Sequence, residues 1–135
     1  MCRVRVMLVD DHEGYRSLLR SLLHRDPDIQ VLAEARDGEQ ALLIAEELCP
    51  DVAIVDLSMP GIDGHETVAR LRARCANLAV LMLSVRSSAA EAPNTDRPGA
   101  HAYLSKAEPV SALVSAIKTY AEIAPGRGPE LRPSH

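Results

Sequence analysis

The sequence contains no tryptophan and no phenylalanine; its aromatic side chains are three tyrosines among 135 residues. Stacking on nucleic-acid bases is therefore nearly unavailable. Basic surplus is missing as well: 15 Lys and Arg face 19 Asp and Glu, a net charge of -4, whereas DNA-binding surfaces are usually basic. No direct nucleic-acid contact by this chain is expected. Long apolar runs are absent. The longest, Leu78 to Leu83, has six residues, against about 20 for a membrane helix. The apolar stretch near the N-terminus meets Asp10-Asp11 too soon for a signal peptide. Three cysteines without a CxxC spacing suit neither a disulfide framework nor a zinc site. Together these features predict a cytoplasmic chain with no membrane association, its cysteines serving as packing or surface residues.

What is present is ordinary globular composition, 47% hydrophobic and 25% charged, at the length of one domain. Five apolar runs begin near Val4, Ile29, Val52, Leu78 and Ala100, with successive starts 25, 23, 26 and 22 residues apart. That spacing is the length of a βα unit. Val52 to Val55 and Leu78 to Leu83 are apolar at every position, as strands buried on both faces must be. Ile29 to Ala35 carries polar residues on one face and is predicted at a sheet edge. The intervals carry helical stripes: Tyr15, Leu18, Leu19, Leu22 and Leu23; then Ala41, Ile44, Ala45 and Leu48; then Val68, Leu71 and Cys75; finally Val110, Leu113, Ile117 and Tyr120. Asp37 with Gln40 forms a capping-box pattern, and Pro109 suits the start of the last helix. The prediction is an α/β domain, a doubly wound five-stranded parallel sheet in the order 2-1-3-4-5, over residues 1–123. The Pro- and Gly-rich 124–135 reads as a flexible tail or linker.

One interval breaks the rhythm. Arg86 to Tyr103 contains no Val, Ile, Leu or Met and is interrupted by Pro93 and Pro98, so a short or irregular fourth helix is expected there. Polar residues collect at the strand ends instead: Asp10-Asp11 after the first, Asp56 after the third, Ser84 after the fourth, Ser105-Lys106 after the fifth. In a parallel sheet of this order those ends share one rim, where ligands bind. Two like charges about 5 Å apart repel by roughly 3 kcal/mol at an effective dielectric near 20. Three gathered aspartates thus call for a cation, and all-oxygen ligation favours Mg²⁺, Mn²⁺ or Ca²⁺ over zinc. A divalent ion, an ammonium and a hydroxyl suit a phosphoryl group.

These residues resemble the response-regulator receiver domain of two-component signalling. The resemblance rests on Val6 to His12, Ala35 to Ala41, Pro50 to Gly64, Leu81 to Ser84 and Ala102 to Lys106, and it spans roughly residues 3–123. Asp10-Asp11-His12 and Asp56-Leu57-Ser58-Met59-Pro60-Gly61 look most like the subfamily joined to a helix-turn-helix output domain. The resemblance implies a flavodoxin-like fold with helices on both faces of the sheet. It implies Asp56 as acceptor of a phosphoryl group from a sensor histidine kinase. Mg²⁺ would be held by Asp11, Asp56 and the Ser58 carbonyl, with Asp10 acting through a water. Ser84 would bond the phosphoryl oxygens, Lys106 would pair with Asp56 and then with the phosphate, and Tyr103 would be the switch aromatic that follows Ser84. Catalysis would extend only to the domain's own phosphoryl transfer and dephosphorylation, so no enzyme in the wider sense is expected. An output domain or partner protein, and a homodimer, are the further partners implied.

Two departures stand out. Family members commonly carry proline after the lysine, with a cis peptide; Ala107 follows Lys106 here, and a non-proline cis bond costs about 3 kcal/mol. The proline-broken interval falls where receivers usually build their output surface, which keeps a phosphorylation-independent pseudo-receiver as the alternative. A magnesium phosphohydrolase with a similar core typically needs a second carboxylate two residues after the nucleophile, where this chain has Ser58. A flavin-binding protein would place phosphate beside Asp10-Asp11, which would repel it. The five histidines lack metal spacing, and surface or capping roles are expected for them. Tyr15 and Tyr120 are expected to pack helix faces.

Overall fold

Strand β1 (Val4–Val9) lies between β2 (Ile29–Ala35) and β3 (Val52–Asp56), and β4 (Ala79–Ser84) and β5 (Ala102–Ser105) continue the sheet. The order is β2-β1-β3-β4-β5 and every pairing is parallel. This computed structural model describes residues 3–56, 64–75, 77–84 and 101–123. The predicted irregular helix lies outside the described residues except for its last positions, and the 124–135 tail lies outside them altogether.

The alternation of side chains along a strand decides which helices each residue meets. Val6 and Leu8 of β1, Val52 and Ile54 of β3, and Leu81 and Leu83 of β4 pack under α1 (Glu13–Leu23) and α4 (Val110–Ile123). Met7 and Val9, Ala53 and Val55, and Val80 and Met82 face α2 (Gly38–Leu48) and α3 (Gly64–Arg74). Two cores back onto one sheet, so the central strands are buried on both faces and are apolar up to the Asp56 and Ser84 that end β3 and β4. β2 takes the edge, as its polar face predicts, and its register against β1 slips between Val6 and Met7.

Helix limits follow local chemistry. Asp37 caps α2, its side chain accepting the Gln40 N–H at 2.8 Å. Gln40 reaches back to the Arg36 N–H at 2.8 Å, one residue earlier than a capping box would have it. Pro109 sits just before α4, where its carbonyl accepts the Ala112 N–H at 3.0 Å. α2 ends at Cys49, whose φ of 45° and ψ of 65° are left-handed. Glycine is the usual residue there, because a β-carbon crowds the following carbonyl. Cys49→Gly is expected to raise unfolding free energy by about 1 kcal/mol; urea denaturation checks it, and a lower midpoint would contradict the strain.

His24 stands at the C-cap of α1, as anticipated for histidine, whereas His101 is part-buried and serves a strand instead of a surface or capping role. His24 Nε2 accepts the Val31 N–H at 3.1 Å, and His101 Nδ1 accepts the Val80 N–H at 3.0 Å. His101 therefore fastens the entry of β5 onto β4, helped by its own N–H to the Val80 carbonyl at 2.7 Å. Burial and the Arg72 charge hold its imidazole below the ordinary histidine range.

Candidate phosphoryl and metal site

All the strand ends open on the same rim, and sheet alternation then sorts the side chains that reach it. Asp56 shares its face with Val52 and Ile54, so its carboxylate turns toward α1; Lys106, two residues beyond Leu104, belongs to the same side of β5. Asp10 and Asp56 are almost fully buried, 5% and 3% exposed. Buried carboxylates need compensation, and Lys106 supplies it: its Nζ lies 3.1 Å from Asp10 Oδ2 and 3.5 Å from Asp56 Oδ1. The Lys106 backbone is placed by the Ser84 carbonyl, which accepts its N–H at 2.6 Å. The peptide to Ala107 is trans, in keeping with the missing proline.

Burial alone would discourage the ammonium. The Asp10 hydrogen bond and the Asp10 and Asp56 charges outweigh it, and the Lys106 pKa is raised above its ordinary 10.5. A cation with a raised folded pKa contributes its stability fully below the unfolded value and loses it only as pH climbs through the folded one. The Lys106 contribution should accordingly be constant from neutral pH to about 10 and fade above 10.5.

Asp10, Asp11, His12 and Asp56 each offer one ligand atom, and these four atoms lie within 4.8 Å of one another. The β1–α1 turn that presents them is tightly tied. Asp10 Oδ1 accepts the His12 N–H at 2.8 Å, and Arg16 donates to the Asp10 carbonyl at 2.6 Å while pairing with Glu34 of β2 at 3.1 Å. Three carboxylates around one point, with a single lysine on one side, form a donor set suited to a hard divalent cation. Ser84 is buried at the end of β4. It has the alternation of Val80 and Met82, and Tyr103, partly buried on the α2–α3 side, has the same. By strand alternation Ser84 and Tyr103 thus belong to one side of the sheet, and Asp10, Asp56 and Lys106 to the other. Ser58 lies outside the described residues.

Three contributors escaped the sequence pattern. Tyr15, expected as packing, places its ring 4.4 Å below the Lys106 ammonium. Burial pushes its phenol up, the Lys106 charge opposes this, and the Asp10 and Asp56 charges add to the rise. His12, 68% exposed, stands at the rim with Nδ1 3.1 Å from Asp11 and 3.3 Å from Asp10. Arg16 anchors the turn. A motif reading could have found His12 beside the aspartates; Tyr15 and Arg16 arrive by one helical turn, on a stripe that also serves the core. Tyr15→Phe is expected to retain the cation–π contact, whereas Tyr15→Leu should cost about 0.5–2 kcal/mol. Urea unfolding checks this, and equal losses in the two variants would assign the effect to the hydroxyl instead.

The family described as response regulator receiver domain matches residues 6–118. The transcriptional regulatory protein DegU of Brevibacillus brevis is 31% identical over 120 residues, covering 89% of this chain and 51% of that protein. The nitrate/nitrite response regulator protein NarL of Escherichia coli K12 is 37% identical over 101 residues, 75% of this chain and 47% of that protein. The chain thus spans about half the length of these relatives. Among solved structures, the signal receiver domain of the putative response regulator NarL from Mycobacterium tuberculosis superposes with a TM-score of 0.82 at 31% identity, covering 90% of this chain and 98% of that one.

Proposed function

Because the chain belongs to the response-regulator receiver family of two-component systems, we propose that it accepts a phosphoryl group on Asp56 from a sensor histidine kinase. The observation that carries this reading is the buried Asp56 carboxylate, held 3.5 Å from Lys106 within a cluster of three carboxylates. An Asp56 oxygen attacks phosphorus; the new O–P bond forms as the bond to the donor nitrogen breaks, and the donor keeps that electron pair. A carboxylate is a weak nucleophile, so the site works by position and charge. Asp11 and Asp56 would hold Mg²⁺ together with the Ser58 carbonyl, and Asp10 would assist through a water. When bound, the ion neutralises charge on the transferring oxygens.

Lys106 is already poised beside Asp56 and exchanges the carboxylate for the phosphoryl oxygens. The Ser84 hydroxyl donates to a phosphoryl oxygen from the neighbouring strand end. Tyr103 shares a sheet face with Ser84, which supports its role as the aromatic that registers Ser84's movement. The reaction stays on the domain's own aspartate; no separate substrate is turned over. The phosphorylated domain then signals to an output domain or a partner protein, a second copy of the chain among them. Among the described residues no helix is long and apolar enough to cross a membrane, which is compatible with work in the cytoplasm.

The test is intact mass after incubation with Mg²⁺ and a small acyl-phosphate donor. One phosphoryl group should be gained by the wild type and none by Asp56→Asn. Absence of uptake, with beryllofluoride also failing to bind, would replace this reading with a phosphorylation-independent interaction module.

A further inference from the structure

We propose that Cys49 and Cys75 are a disulfide-forming pair, oxidised reversibly by a small-molecule disulfide at the end of the sheet opposite the carboxylate cluster. Cys49 caps α2 and Cys75 directly follows α3, two helices packed side by side. One acceptor joins them: the Ala45 carbonyl takes the Cys49 backbone N–H at 3.0 Å and the Cys75 Sγ at 3.7 Å. The nearby Cys49 thiol is among the causes that push the Cys75 thiol up, after burial. The Glu46–Arg74 ion pair, at 2.7 Å, ties the same two helix ends together within one turn of the cysteines. Cys49 holds a left-handed backbone that disfavours any β-carbon; glycine would fit more easily, and the position carries a thiol.

Exposure assigns the order of events, since Cys49 is exposed and Cys75 is half-buried. The Cys49 thiolate attacks one sulfur of the oxidant, forming a mixed disulfide and expelling the first thiolate. The Cys75 thiolate then attacks Cys49 Sγ, forming the intramolecular bond and expelling the second. Two protein thiols are oxidised, the oxidant is reduced to two thiols, and the two cysteine protons pass to the expelled thiolates. Burial pushes the Cys75 thiol up, and its place just beyond a helix C-terminus disfavours its thiolate further. Thiol–disulfide exchange is therefore a slow step, unlike the fast oxidation of a low-pKa peroxide sensor. The bridge would close the segment containing β3 and α3. Asp56 stands at the far end of β3, whose five residues span about 16 Å, so the pair is separate from the proposed phosphoryl chemistry.

The test incubates the full chain with oxidised glutathione, followed by alkylation in denaturant, intact mass and peptide mapping. The expected product is a monomer lacking two hydrogens, with Cys49 linked to Cys75, restored by dithiothreitol and unchanged in Cys2→Ser. Cys75→Ser should instead stop at a glutathione adduct on Cys49. The oxidised wild type should melt about 5–10 °C higher than the reduced form. A persistent glutathione adduct on wild-type Cys49, a bridge to Cys2 or to a second chain, or unreacted thiols that alkylate freely would each overturn the proposal.

Discussion

Asp56→Asn is expected to stabilise the metal-free protein while abolishing phosphoryl uptake. The sign follows from the charges that meet there. Lys106, 3.5 Å from Asp56, attracts it by about 5 kcal/mol at an effective dielectric of 20. Asp10 and Asp11, with ligand atoms within 4.8 Å, repel it by about 3.5 kcal/mol each or more on the same basis. Repulsion exceeds attraction, and an amide is also easier to bury than a carboxylate. After allowance for the partial exposure of Asp11, a gain of about 1–2 kcal/mol remains. Mg²⁺ should reverse the ranking: at a hundred times its dissociation constant a ligand stabilises the folded state by about 2.7 kcal/mol, and Asp56→Asn forfeits part of that binding. Urea midpoints of both proteins, with and without Mg²⁺, decide the matter. A less stable Asp56→Asn in metal-free buffer, or a wild type indifferent to Mg²⁺, would count against the electrostatic account.

Lys106→Ala should do the opposite. Its ammonium serves Asp10 at 3.1 Å and Asp56 at 3.5 Å. Removing one partner of a buried ion pair typically costs about 3–5 kcal/mol because the other charge is left behind. Lys106 keeps 15% exposure, so about 2–4 kcal/mol is expected at neutral pH without metal. That is a large share of the roughly 5–15 kcal/mol that holds a domain together. Two comparisons make the claim specific. Mg²⁺ should recover more stability in Lys106→Ala than in wild type, since the ion supplies the missing positive charge. In an Asp56→Asn background the same substitution should cost about half as much, because one of its two carboxylates is gone. Equal costs in both backgrounds would show that the ammonium is not coupled to Asp56.

The fold was largely legible because its information is local and periodic. Strand starts recur at βα intervals, fully apolar runs mark the central strands, and the polar face of Ile29–Ala35 marks an edge; the observed order agrees. The acidic site was legible for a related reason: parallel topology sends every strand end to one rim, so residues at those ends must meet. Asp10, Asp11, Asp56 and Lys106 do, and the Ser84 carbonyl holds the Lys106 backbone. Composition and spacing decided this much without coordinates, because burial on both faces of a parallel strand leaves few sequences to choose from.

Tertiary structure alone decided the rest. That Lys106 bonds Asp10 more closely than Asp56, and that Tyr15 underlies it, depends on how α1 settles over the sheet. The division of the rim, with Asp10, Asp56 and Lys106 on the α1–α4 side and Tyr103 on the other, depends on strand register, where a shift of one residue would exchange the faces. The meeting of Cys49 with Cys75 has no sequence signal: the residues are far apart in the chain, and only the packing of α2 on α3 joins them. Such contacts arise between elements, and a sequence pattern specifies the elements more sharply than the angle at which they pack.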